Sequence, residues 1–459
     1  MTLIKSISGI RGTIGGFPGD NLTPIDIVKF TAAFAKLIQE NNPKKRLKFI
    51  VGRDARISGP MVESLITSTL SGMGIDVVNT GLSTTPTVEM AVVNLKADGG
   101  IIITASHNPK QWNALKLLNG TGEFISADDG ARVLKYAEDE SIDFCDVDDL
   151  GKIETNDETI NTHIQQILDL ELVDKDLIAK AGFKVAIDAV NSTGGISIPP
   201  LLRALGVVDI VELYCDPTGD FPHNPEPIPA NLGEICKLVM NEKADIGVVV
   251  DPDVDRLALV MENGELFGEE YTLVAVADYI LQSKKGNTVS NLSSTRALRD
   301  VTEKAGGTYT ASAVGEVNVV HMMKENNAVI GGEGNGGVIY PELHYGRDAL
   351  VGIALILTYL AKKKISLSEL RSTYKDYFVS KNRIDLTPDM DVEKMYALVK
   401  SHYSSYPILT IDGVKIDFPD GWVHLRTSNT EPIMRVYAES ISMEKADKYA
   451  KEVISLIAK

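Results

Sequence analysis

The apolar run Ile246-Gly-Val-Val-Val250 is followed directly by Asp251-Pro-Asp-Val-Asp-Arg256, and this junction decides the fold class. Five apolar or small residues in an unbroken run indicate a strand that is buried on both faces, because a half-buried strand would alternate apolar and polar side chains. A strand of this kind belongs to a sheet that carries helices on its faces. The polar residues after it indicate a loop at the strand's carboxyl end.

The same kind of unit recurs on both sides of this junction. Short β-branched or apolar runs alternate with stretches whose apolar residues recur at three- and four-residue steps, which indicates crossover units in mixed or parallel sheets. The other predicted strands are residues 47–51, 75–78, 101–104, 184–187 and 210–214. The predicted helices are residues 24–40, 60–73, 129–138, 231–241, 271–282, 297–305, 350–362 and 368–374.

The domain organisation follows from length and from changes in pattern. At about 150 residues per domain, 459 residues predict roughly three domains. Candidate joints lie near Gly151, Arg256 and Tyr374. After about Phe378, several prolines punctuate short strands before a closing helix from Met443, and this predicts a small α+β domain.

The charge balance restricts the partners of this chain. Lys and Arg number 46 against 63 Asp and Glu, which gives a net charge of −17 with histidine neutral. Such a surface repels phosphate backbones, so we expect no nucleic-acid partner. An anionic substrate must meet a few arginines and lysines focused in a cleft.

Cysteine use and hydropathy predict a cytoplasmic protein. The three cysteines show no CxxC spacing, which excludes a disulfide framework and a cysteine zinc site and favours a reducing cytosol. The first ten residues contain no apolar core followed by a cleavage site, so no signal peptide is expected. The longest apolar stretch, residues 350–361, is too short for about 30 Å of hydrocarbon, so we expect no membrane partner.

Three carboxylates stand at alternate positions after the decisive strand: Asp251, Asp253 and Asp255. In an extended segment, alternate side chains point the same way, so three hard oxygen ligands could converge on one Mg²⁺. Without a cation their like charges would repel. An EF-hand loop is excluded because Arg256 stands at its sixth position, where the turn needs glycine, although Glu262 falls at the twelfth. A solvated acidic turn is the open alternative.

A second polar loop, Thr104-Ala-Ser-His-Asn-Pro109, follows an apolar run and places the hydroxyl of Ser106 at a strand end. It is not the GxSxG turn of hydrolases, because Thr104 and Asn108 replace the glycines. A serine combined with a remote acidic metal loop suits phosphoryl transfer. His107 is predicted to orient or cap rather than to act as a general base. A loop without function is the alternative.

The glycine-rich stretch Gly331-Gly-Glu-Gly-Asn-Gly-Gly337 contains a formal GxGxxG match. A dinucleotide site is excluded, because Val338-Ile-Tyr-Pro341 follows instead of a helical pattern and no acidic residue lies about twenty positions further on. Glu333 and Asn335 could hydrogen-bond a polyol such as a sugar. A glycine-rich turn without a ligand is the alternative.

The best candidate for an anion site is Arg426-Thr-Ser-Asn-Thr-Glu-Pro432, followed by Arg435. It offers a guanidinium, hydroxyls, an amide and backbone N–H groups within a few residues, which suits a phosphate dianion. The alternative is a Ser/Thr/Asn turn that opens a strand. No glycine–lysine loop of the Walker type is present, so an ordinary nucleotide-phosphate cradle is excluded.

In this order, the motifs resemble those of the α-D-phosphohexomutase superfamily over essentially the whole chain. The matching segments are Ser8-Gly-Ile-Arg-Gly12, the phosphoserine loop 104–109, the metal loop 251–256, the sugar loop 332–337 and the phosphate loop 426–432. The resemblance implies four domains around a central cleft, which corrects the length-based count upward.

The resemblance thus implies an α/β fold class: three similar mixed-sheet α/β domains plus a smaller C-terminal α+β domain around a central cleft. The implied boundaries are residues 1–151 with the phosphoserine loop, 152–256 ending in the metal loop, 257–374 with the sugar loop, and 375–459 with the phosphate loop.

The resemblance also implies roles for individual residues. Ser106 would carry the phosphoryl group and complete a Mg²⁺ site with Asp251, Asp253 and Asp255. The residues implied beside the reacting phosphate are Arg11, Lys116 as a general acid/base, and His107 and Asn108, which would orient the phosphoserine. The residues implied to bind substrate are Arg256, Glu333, Asn335, Arg426, Ser428, Asn429, Thr430 and Arg435, with Glu333 and Asn335 on sugar hydroxyls and the 426–430 loop on the phosphate that does not react.

The implied activity is a phosphosugar mutase that interconverts hexose 6-phosphate and hexose 1-phosphate through a phosphoserine and a hexose bisphosphate, which also serves as activator. Many bacterial relatives carry Glu-x-Ser-Gly-His in the sugar loop, whereas Asn335 and Gly337 stand here at the serine and histidine positions. The lost histidine's proton-transfer role could pass to His344 or Arg347.

The pattern of the sugar loop looks more like that of the archaeal-type phosphoglucosamine and phosphomannose mutases. We therefore expect glucosamine 6-phosphate to be the substrate, with phosphomannomutase/phosphoglucomutase activity as the alternative. A phosphosugar phosphatase and a non-catalytic phosphosugar-binding protein are further alternatives. The expected assembly is a monomer or homodimer.

Overall fold

The computed structural model describes residues 2–6, 9–42, 46–139, 142–428 and 432–458. The chain divides into two compact units. The first unit contains Met1–Thr272 and Gly336–Glu369, and the second contains Leu273–Asn335 and Leu370–Lys459.

The bounds of the elements are as follows. The strands are β1 (Ile4–Ser6), β2 (Gly9–Thr13), β3 (Lys48–Arg53), β4 (Asp76–Leu82), β5 (Gly99–Ile103), β6 (Trp112–Asn119), β7 (Ile153–Thr155), β8 (Lys184–Asp188), β9 (Asp209–Leu213), β10 (Ile246–Val250), β11 (Leu257–Met261), β12 (Asn287–Asn291), β13 (Tyr309–Ser312), β14 (Ala328–Glu333), β15 (Gly337–Ile339), β16 (Phe378–Asp385), β17 (Ile408–Leu409), β18 (Val414–Phe418), β19 (Gly421–Thr427) and β20 (Ile433–Ser440). The helices are α1 (Pro24–Asn41), α2 (Gly59–Gly72), α3 (Thr85–Asn94), α4 (Ala127–Asp139), α5 (Thr159–Leu168), α6 (Lys175–Ala181), α7 (Gly194–Ala204), α8 (Gly233–Glu242), α9 (Glu269–Ser283), α10 (Ala297–Lys304), α11 (Glu316–Glu325), α12 (Ala349–Lys363), α13 (Leu367–Ser372), α14 (Val392–His402) and α15 (Met443–Ile457).

The first sheet of the first unit is mixed and has the order β1-β2-β6-β5-β3-β4-β7. Strands β5, β3, β4 and β7 run parallel, while β6 and β2 pair in the antiparallel sense. Helix α1 begins with a capping box in which Thr23 and Asp26 satisfy each other's backbone groups. Its apolar face packs on the sheet, where the ring centroids of Phe34 and Phe49 lie 5.4 Å apart.

The second sheet of the first unit has the order β11-β10-β8-β9 and is also mixed. Every residue of β10 is buried, as its unbroken apolar run predicts. Gly247 lies in the middle of this strand, where an added Cβ would come within 2.8 Å of Val239 and Val260. The glycine therefore allows α8 and β11 to approach β10 closely.

The second unit contains an α/β part and the antiparallel C-terminal part. Strand β12 runs parallel to both β13 and β14. The C-terminal sheet has the order β16-β20-β19-β18-β17, and its neighbouring strands pair in the antiparallel sense. Its apolar face forms a core with α14 and α15 that includes Val399, Val436 and Val453.

The predicted fold class, three mixed-sheet α/β domains plus a smaller C-terminal α+β domain, is confirmed. The domain boundaries at residues 151, 256 and 374 and the central cleft stay predictions. The prediction lacks β6, because Asn113 and Lys116 interrupt its apolar run, yet both side chains are buried. Within the described ranges, no helix is both long enough and apolar enough to cross a membrane.

Candidate active site

Ser106 lies three residues beyond β5, on a turn that aims its side chain at the acidic loop. Its backbone φ is 48°, in the left-handed region that residues with a side chain rarely adopt. The backbone N–H of Ser106 donates to Oγ1 of Thr104 at 2.9 Å, which holds this turn. The Ser106 hydroxyl is buried and donates to Oδ2 of Asp251 at 2.7 Å. The left-handed backbone conformation of Ser106 thus occurs together with a hydroxyl that points at Asp251.

The acidic loop is a turn, so its predicted extended conformation is wrong. Val254 has a φ of 63°, and its N–H donates to the carbonyl of Asp251 at 3.1 Å. This turn brings one carboxylate oxygen each from Asp251, Asp253 and Asp255 within 4.8 Å of one another. The carboxylates therefore converge because the chain turns back, and not because side chains alternate along a strand.

The electrostatics of this cluster favour a cation. Burial raises the pKa of Asp251 well above its ordinary value, and the charges of Asp255 and Asp253 raise it further. Burial also raises the pKa of Asp255, but the positive charges of Arg347 and Lys116 outweigh it and hold this pKa below its usual range. The negative charges of its neighbours disfavour the ionised form of Asp251. A cation at the cluster would offset these charges and favour that form.

The donor atoms fit a divalent metal ion. Across the part of the chain that the structure describes, Oδ1 of Asp253 and Oδ1 of Asp255 are buried and have no hydrogen-bond partner. Buried carboxylate oxygens without a partner are costly unless a cation binds them. Carboxylates are hard oxygen ligands of the kind that Mg²⁺ and Ca²⁺ take. The Ser106 hydroxyl on Asp251 stands directly beside these ligands.

Lys116 reaches the same cluster from β6, where it pairs with Ile102 of β5. Its Nζ donates to Oδ2 of Asp253 at 2.7 Å and to Oδ2 of Asp255 at 3.3 Å. Burial lowers the pKa of Lys116, but these two carboxylates raise it more, so that it lies above its usual range. Lys116 is therefore an ammonium ion paired with the acidic loop.

Arg11, His107 and Asn108 surround the serine loop. The Nη1 of Arg11 donates to Oδ1 of Asn108 at 2.7 Å, which ties β2 to the loop. The Nδ1 of His107 lies 3.4 Å from Oγ of Ser106. Burial and then the charges of Arg256 and Arg11 keep the pKa of His107 well below its ordinary value. The ring is accordingly neutral at pH 7, which suits an orienting residue.

Arg256 closes the acidic loop from its own C-terminal end. Its Nε lies 4.0 Å from Oδ2 of Asp251 and 3.9 Å from Oδ1 of Asp255. Its Nη1 lies 3.8 Å from Oε1 of Glu226. These separations exceed hydrogen-bond lengths, so the guanidinium acts on the loop through its charge.

In the second unit, residues 332–335 of the predicted sugar loop lie at the end of β14, and their contacts centre on Glu333. Oε1 of this carboxylate accepts from Nδ2 of Asn291 at 2.9 Å and from the N–H of Gly315 at 3.2 Å. Its other oxygen, Oε2, accepts from Nδ2 of Asn335 at 3.4 Å. Gly315 has a φ of 113°, a conformation that glycine tolerates and that presents its N–H to the carboxylate. The two predicted sugar-binding side chains thus lie next to each other.

The predicted phosphate loop follows β19, beside a row of arginines on the C-terminal sheet. Arg426 pairs with Arg435 of β20, and Arg435 pairs with Arg383 of β16. Directly opposite residues of antiparallel strands share a face of the sheet, where like charges destabilise each other unless an anion lies between them. Ser428 follows Arg426 closely, and its N–H donates to the carbonyl of Ile433 at 2.9 Å. Arg383 is an addition to the predicted set.

Asp412 connects the two loops of the second unit. Its Oδ2 lies 3.1 Å from Nε of Arg426 and accepts from the N–H of Val314 at 3.0 Å. The next residue, Gly315, donates to Glu333. The sugar and phosphate loops are therefore neighbours.

Asn429 and Thr430, which the prediction adds to this site, lie outside the described residues, as does Ser8.

The structure gathers the predicted residues in two places. In the first unit, Ser106, His107, Asn108, Arg11, Lys116, Arg256 and the three aspartates lie together. In the second unit, Glu333, Asn335, Arg426, Ser428 and Arg435 form the other group.

Sequence reasoning missed Arg56, which holds the serine loop. Its side chain is fully buried, and its Nε donates to Oδ2 of Asp54 at 2.9 Å. The remaining donors serve backbone carbonyls of the loop: Asn108 at 2.7 Å, Pro109 at 2.8 Å, Trp112 at 3.0 Å, and Ser106. The signal is the charged run Arg53-Asp54-Ala55-Arg56 at the end of an apolar strand.

A hydroxyl beside three carboxylates that fit a divalent metal ion, together with a separate row of arginines that suits a second anion, is suited to moving a phosphoryl group between two positions of one sugar. With this fold, these features define the α-D-phosphohexomutases.

Comparison with protein-family models agrees domain by domain. Domains I, II and III of the phosphoglucomutase/phosphomannomutase family match residues 3–142, 161–264 and 268–377, and its C-terminal domain matches residues 379–456. The chain belongs to this family, and it is a phosphosugar mutase, an isomerase.

Relatives match along their whole lengths. A phosphoglucomutase/phosphomannomutase of Thermococcus kodakarensis is 34% identical over 450 residues, which cover 97% of this chain and 98% of the relative. A phosphoglucosamine/phosphogalactosamine mutase of Sulfurisphaera tokodaii is 32% identical over 464 residues, 98% of each chain. The crystal structure of a phosphoglucomutase/phosphomannomutase family protein from Burkholderia thailandensis superposes with a TM-score of 0.85 at 26% identity, covering 99% of this chain and 97% of that one.

Replacing Arg56 with lysine should impair both turnover and stability. Lysine keeps the charge but lacks the planar fork of donors, and each buried carbonyl that loses its donor costs about 1–3 kcal/mol. A displacement of the serine loop by about 1 Å can reduce turnover by about 10²-fold. Steady-state turnover and urea unfolding measure the two effects. The control is Arg53→Lys, whose guanidinium pairs with Glu63 at 2.9 Å. Equal turnover of the two variants would contradict this role for Arg56.

Proposed function

We propose that the chain interconverts glucosamine 6-phosphate and glucosamine 1-phosphate, with Mg²⁺ as its metal ion and a hexose bisphosphate as intermediate and activator. The observation that carries the proposal is the 2.7 Å hydrogen bond from the Ser106 hydroxyl to Asp251, inside a cluster of three buried carboxylates. A phosphoryl group on this oxygen would lie at the metal ligands, where its charge is neutralised.

The first transfer begins with phosphorylated Ser106. The bond between Oγ of Ser106 and phosphorus breaks, and the free hydroxyl of the hexose monophosphate forms a new bond to phosphorus. Lys116, an ammonium ion, supplies the proton that the serine oxygen takes up, and it then accepts the proton that the sugar hydroxyl loses. Asp251, Asp253 and Asp255 would hold Mg²⁺ beside the phosphoserine, where the ion would supply positive charge that offsets the charge of the transferring group.

The second transfer returns the other phosphoryl group to Ser106 after the bisphosphate has turned over. The proton steps reverse, so Lys116 serves as acid and base in both directions. Arg11, His107 and Asn108 orient the phosphoserine, a role that the hydrogen bond from Arg11 to Asn108 supports. Arg256 adds positive charge beside the reacting phosphate, and this offsets the acidity of the chain locally.

The group in the second unit holds the parts of the substrate that do not react. Glu333 and Asn335 bind sugar hydroxyls, and the arginine row with Ser428, Asn429 and Thr430 binds the distal phosphate. A phosphatase needs no second phosphate-binding site. The row that contains Arg426 and Arg435 therefore favours a mutase over a phosphatase.

The choice of sugar rests on the sugar loop. The amino group of glucosamine is a cation at neutral pH, and the buried carboxylate of Glu333 is a suitable partner for it. A relative named a phosphoglucosamine/phosphogalactosamine mutase supports this choice. The relative named a phosphoglucomutase/phosphomannomutase supports the alternative, in which mannose and glucose phosphates are preferred. The proposal includes a cytoplasmic monomer or homodimer.

A side-by-side assay tests the substrate. Glucosamine, mannose and glucose 6-phosphates are each supplied with Mg²⁺ and a hexose bisphosphate, and formation of the 1-phosphate is followed. We expect the largest kcat/KM for glucosamine 6-phosphate. A larger value for mannose or glucose phosphate would establish the alternative, and steady release of phosphate without isomerisation would contradict mutase chemistry.

Replacing Arg426 with alanine should raise KM for the monophosphate more than it lowers kcat. Loss of one partner from a buried charged contact costs roughly 2–5 kcal/mol, which corresponds to about 30-fold or more in KM. Steady-state kinetics with the preferred sugar measure the change. Arg299→Ala is the matched control, because this arginine of the same unit pairs with Asp417. An unaltered KM would move the distal phosphate site elsewhere.

A further inference from the structure

A buried cluster of metal-ligand side chains lies in the first unit, apart from the acidic loop. It consists of His163 on α5, His344 in the segment before α12, and Asp348 at the N-cap of α12. One ligand atom of each lies within 4.8 Å of the others. The side chain of His163 is 1% exposed, that of Asp348 is fully buried, and that of His344 is 10% exposed. The proton transfers proposed above for Lys116 involve none of these groups.

Both imidazole rings face the same carboxylate oxygen. The Nε2 of His163 lies 2.9 Å from Oδ2 of Asp348, and the Nε2 of His344 lies 3.4 Å from it. The other oxygen, Oδ1, already accepts from the N–H groups of Leu350 and Val351 as the helix cap. In the described part of the chain, Nε2 of His344 is buried and has no partner with hydrogen-bond geometry. This ring nitrogen therefore points into the cluster, 3.4 Å from Oδ2 of Asp348.

The far side of each ring is held by a polar group. Oγ1 of Thr87 lies 2.9 Å from Nδ1 of His163, and Oε2 of Glu89 lies 3.4 Å from Nδ1 of His344. When Oγ1 of Thr87 and Oε2 of Glu89 accept from the two Nδ1–H groups, each neutral ring keeps its lone pair on Nε2, the nitrogen that faces Oδ2 of Asp348. Metal-binding histidines have this arrangement, with a hydroxyl, carbonyl or carboxylate behind the ring that fixes its orientation.

We propose that His163, His344 and Asp348 bind a zinc ion through Nε2, Nε2 and Oδ2. Two imidazoles and one carboxylate form a recurring zinc donor set, with water in the fourth position. The carboxylates of Asp348 and Glu89 balance the two positive charges of the ion. Imidazole nitrogen favours zinc over Mg²⁺, whereas the all-oxygen set of the acidic loop favours Mg²⁺, so the two sites select different metals.

The zinc ion would join elements that are distant in sequence. Its ligands come from α5 and from the start of α12, and Thr87 and Glu89 behind the rings lie on α3. Arg347 precedes the ligand Asp348 and donates to Oδ2 of Asp255 at 2.7 Å. The ion thus fixes the backbone from which Arg347 reaches the acidic loop.

The test measures zinc in the full-length protein. The protein is incubated with zinc in the presence of excess Mg²⁺, which occupies the acidic loop, then dialysed and analysed by elemental mass spectrometry. We expect one zinc ion per chain, and its loss in His163→Gln and in His344→Gln. The control is His321→Gln on α11, whose side chain is 71% exposed and which should retain the ion. Cobalt substitution should give the intense visible absorption of a four-coordinate site.

Several outcomes would overturn the proposal. Wild-type protein that retains no zinc would show that the cluster is a hydrogen-bond network only. Zinc retained by His344→Gln, or zinc lost in Asp253→Asn but kept in the histidine variants, would assign the ion to another site. If His163→Gln fails to fold, His344→Gln and the wild-type zinc content decide the matter. The zinc content does not depend on which sugar is isomerised, so failure here leaves the proposed function standing.

Discussion

Ser106→Ala should reduce isomerisation of the preferred hexose phosphate to the detection limit while the fold stays intact. The hydroxyl oxygen is the only atom of this side chain that can carry a phosphoryl group, and without it neither transfer has a donor or an acceptor. The structural cost is small by comparison. Oδ2 of Asp251 loses its 2.7 Å hydrogen bond from Ser106, and one unsatisfied buried acceptor costs about 1–3 kcal/mol.

Two measurements separate the chemical effect from the structural one. Turnover is compared with that of Ser64→Ala, a variant at an exposed serine on α2, and thermal unfolding is recorded for both. Protein incubated with a hexose bisphosphate is also analysed by intact mass. Wild-type protein and Ser64→Ala should gain one phosphate, and Ser106→Ala should gain none. Appreciable turnover by Ser106→Ala, or a phosphate on it, would place the carrier on another residue.

The parts of the fold that could be predicted are those in which the pattern of consecutive residues itself indicates which side chains are buried. The run Ile246–Val250 is buried throughout, as its sequence indicates, and the closing helix begins at Met443 as predicted. Strand β6 could not be found in this way, because Lys116 and Asn113 resemble surface residues in sequence. Their burial depends on partners from distant segments, such as Asp253 for Lys116 and Ser58 for Asn113.

The candidate site also has a part that could be predicted from the sequence and a part that could not. The residue types near Ser106 and in the acidic loop follow from local motifs, but the reason for their convergence does not. Val254 has to adopt a positive φ before the aspartates meet, and nothing in its β-branched side chain indicates this conformation. Local sequence patterns also do not predict the hydrogen bonds from Arg56 to the serine loop. The acceptors of these bonds are backbone carbonyls about fifty residues further along the chain.

Asp253→Asn should remove most of the metal dependence together with most of the activity. Asparagine has nearly the shape of aspartate but no charge, and its amide donates where a ligand must accept. Oδ1 of Asp253 is one of the buried oxygens that lack a partner within the described residues, while Oδ2 accepts from Thr85 at 2.6 Å and from Lys116 at 2.7 Å. The single amide oxygen can face either the metal or Lys116, so the substitution removes an acceptor on one of these two sides and the negative charge from both.

The Mg²⁺ concentration that gives half-maximal turnover measures the loss. Removing an outer-shell partner of a metal ligand costs about 10–100-fold in affinity, so loss of the ligand's own charge should shift this concentration by about 100-fold or more. Asp245→Asn is the matched control, because this exposed aspartate lies at the opposite end of β10 and accepts from the N–H of Lys184. Asp245→Asn should titrate like the wild type. If Asp253→Asn also kept the wild-type titration while folding normally, the acidic loop would not be the metal site, and the charge that balances its carboxylates would have to come from Lys116, Arg256 and Arg347 alone.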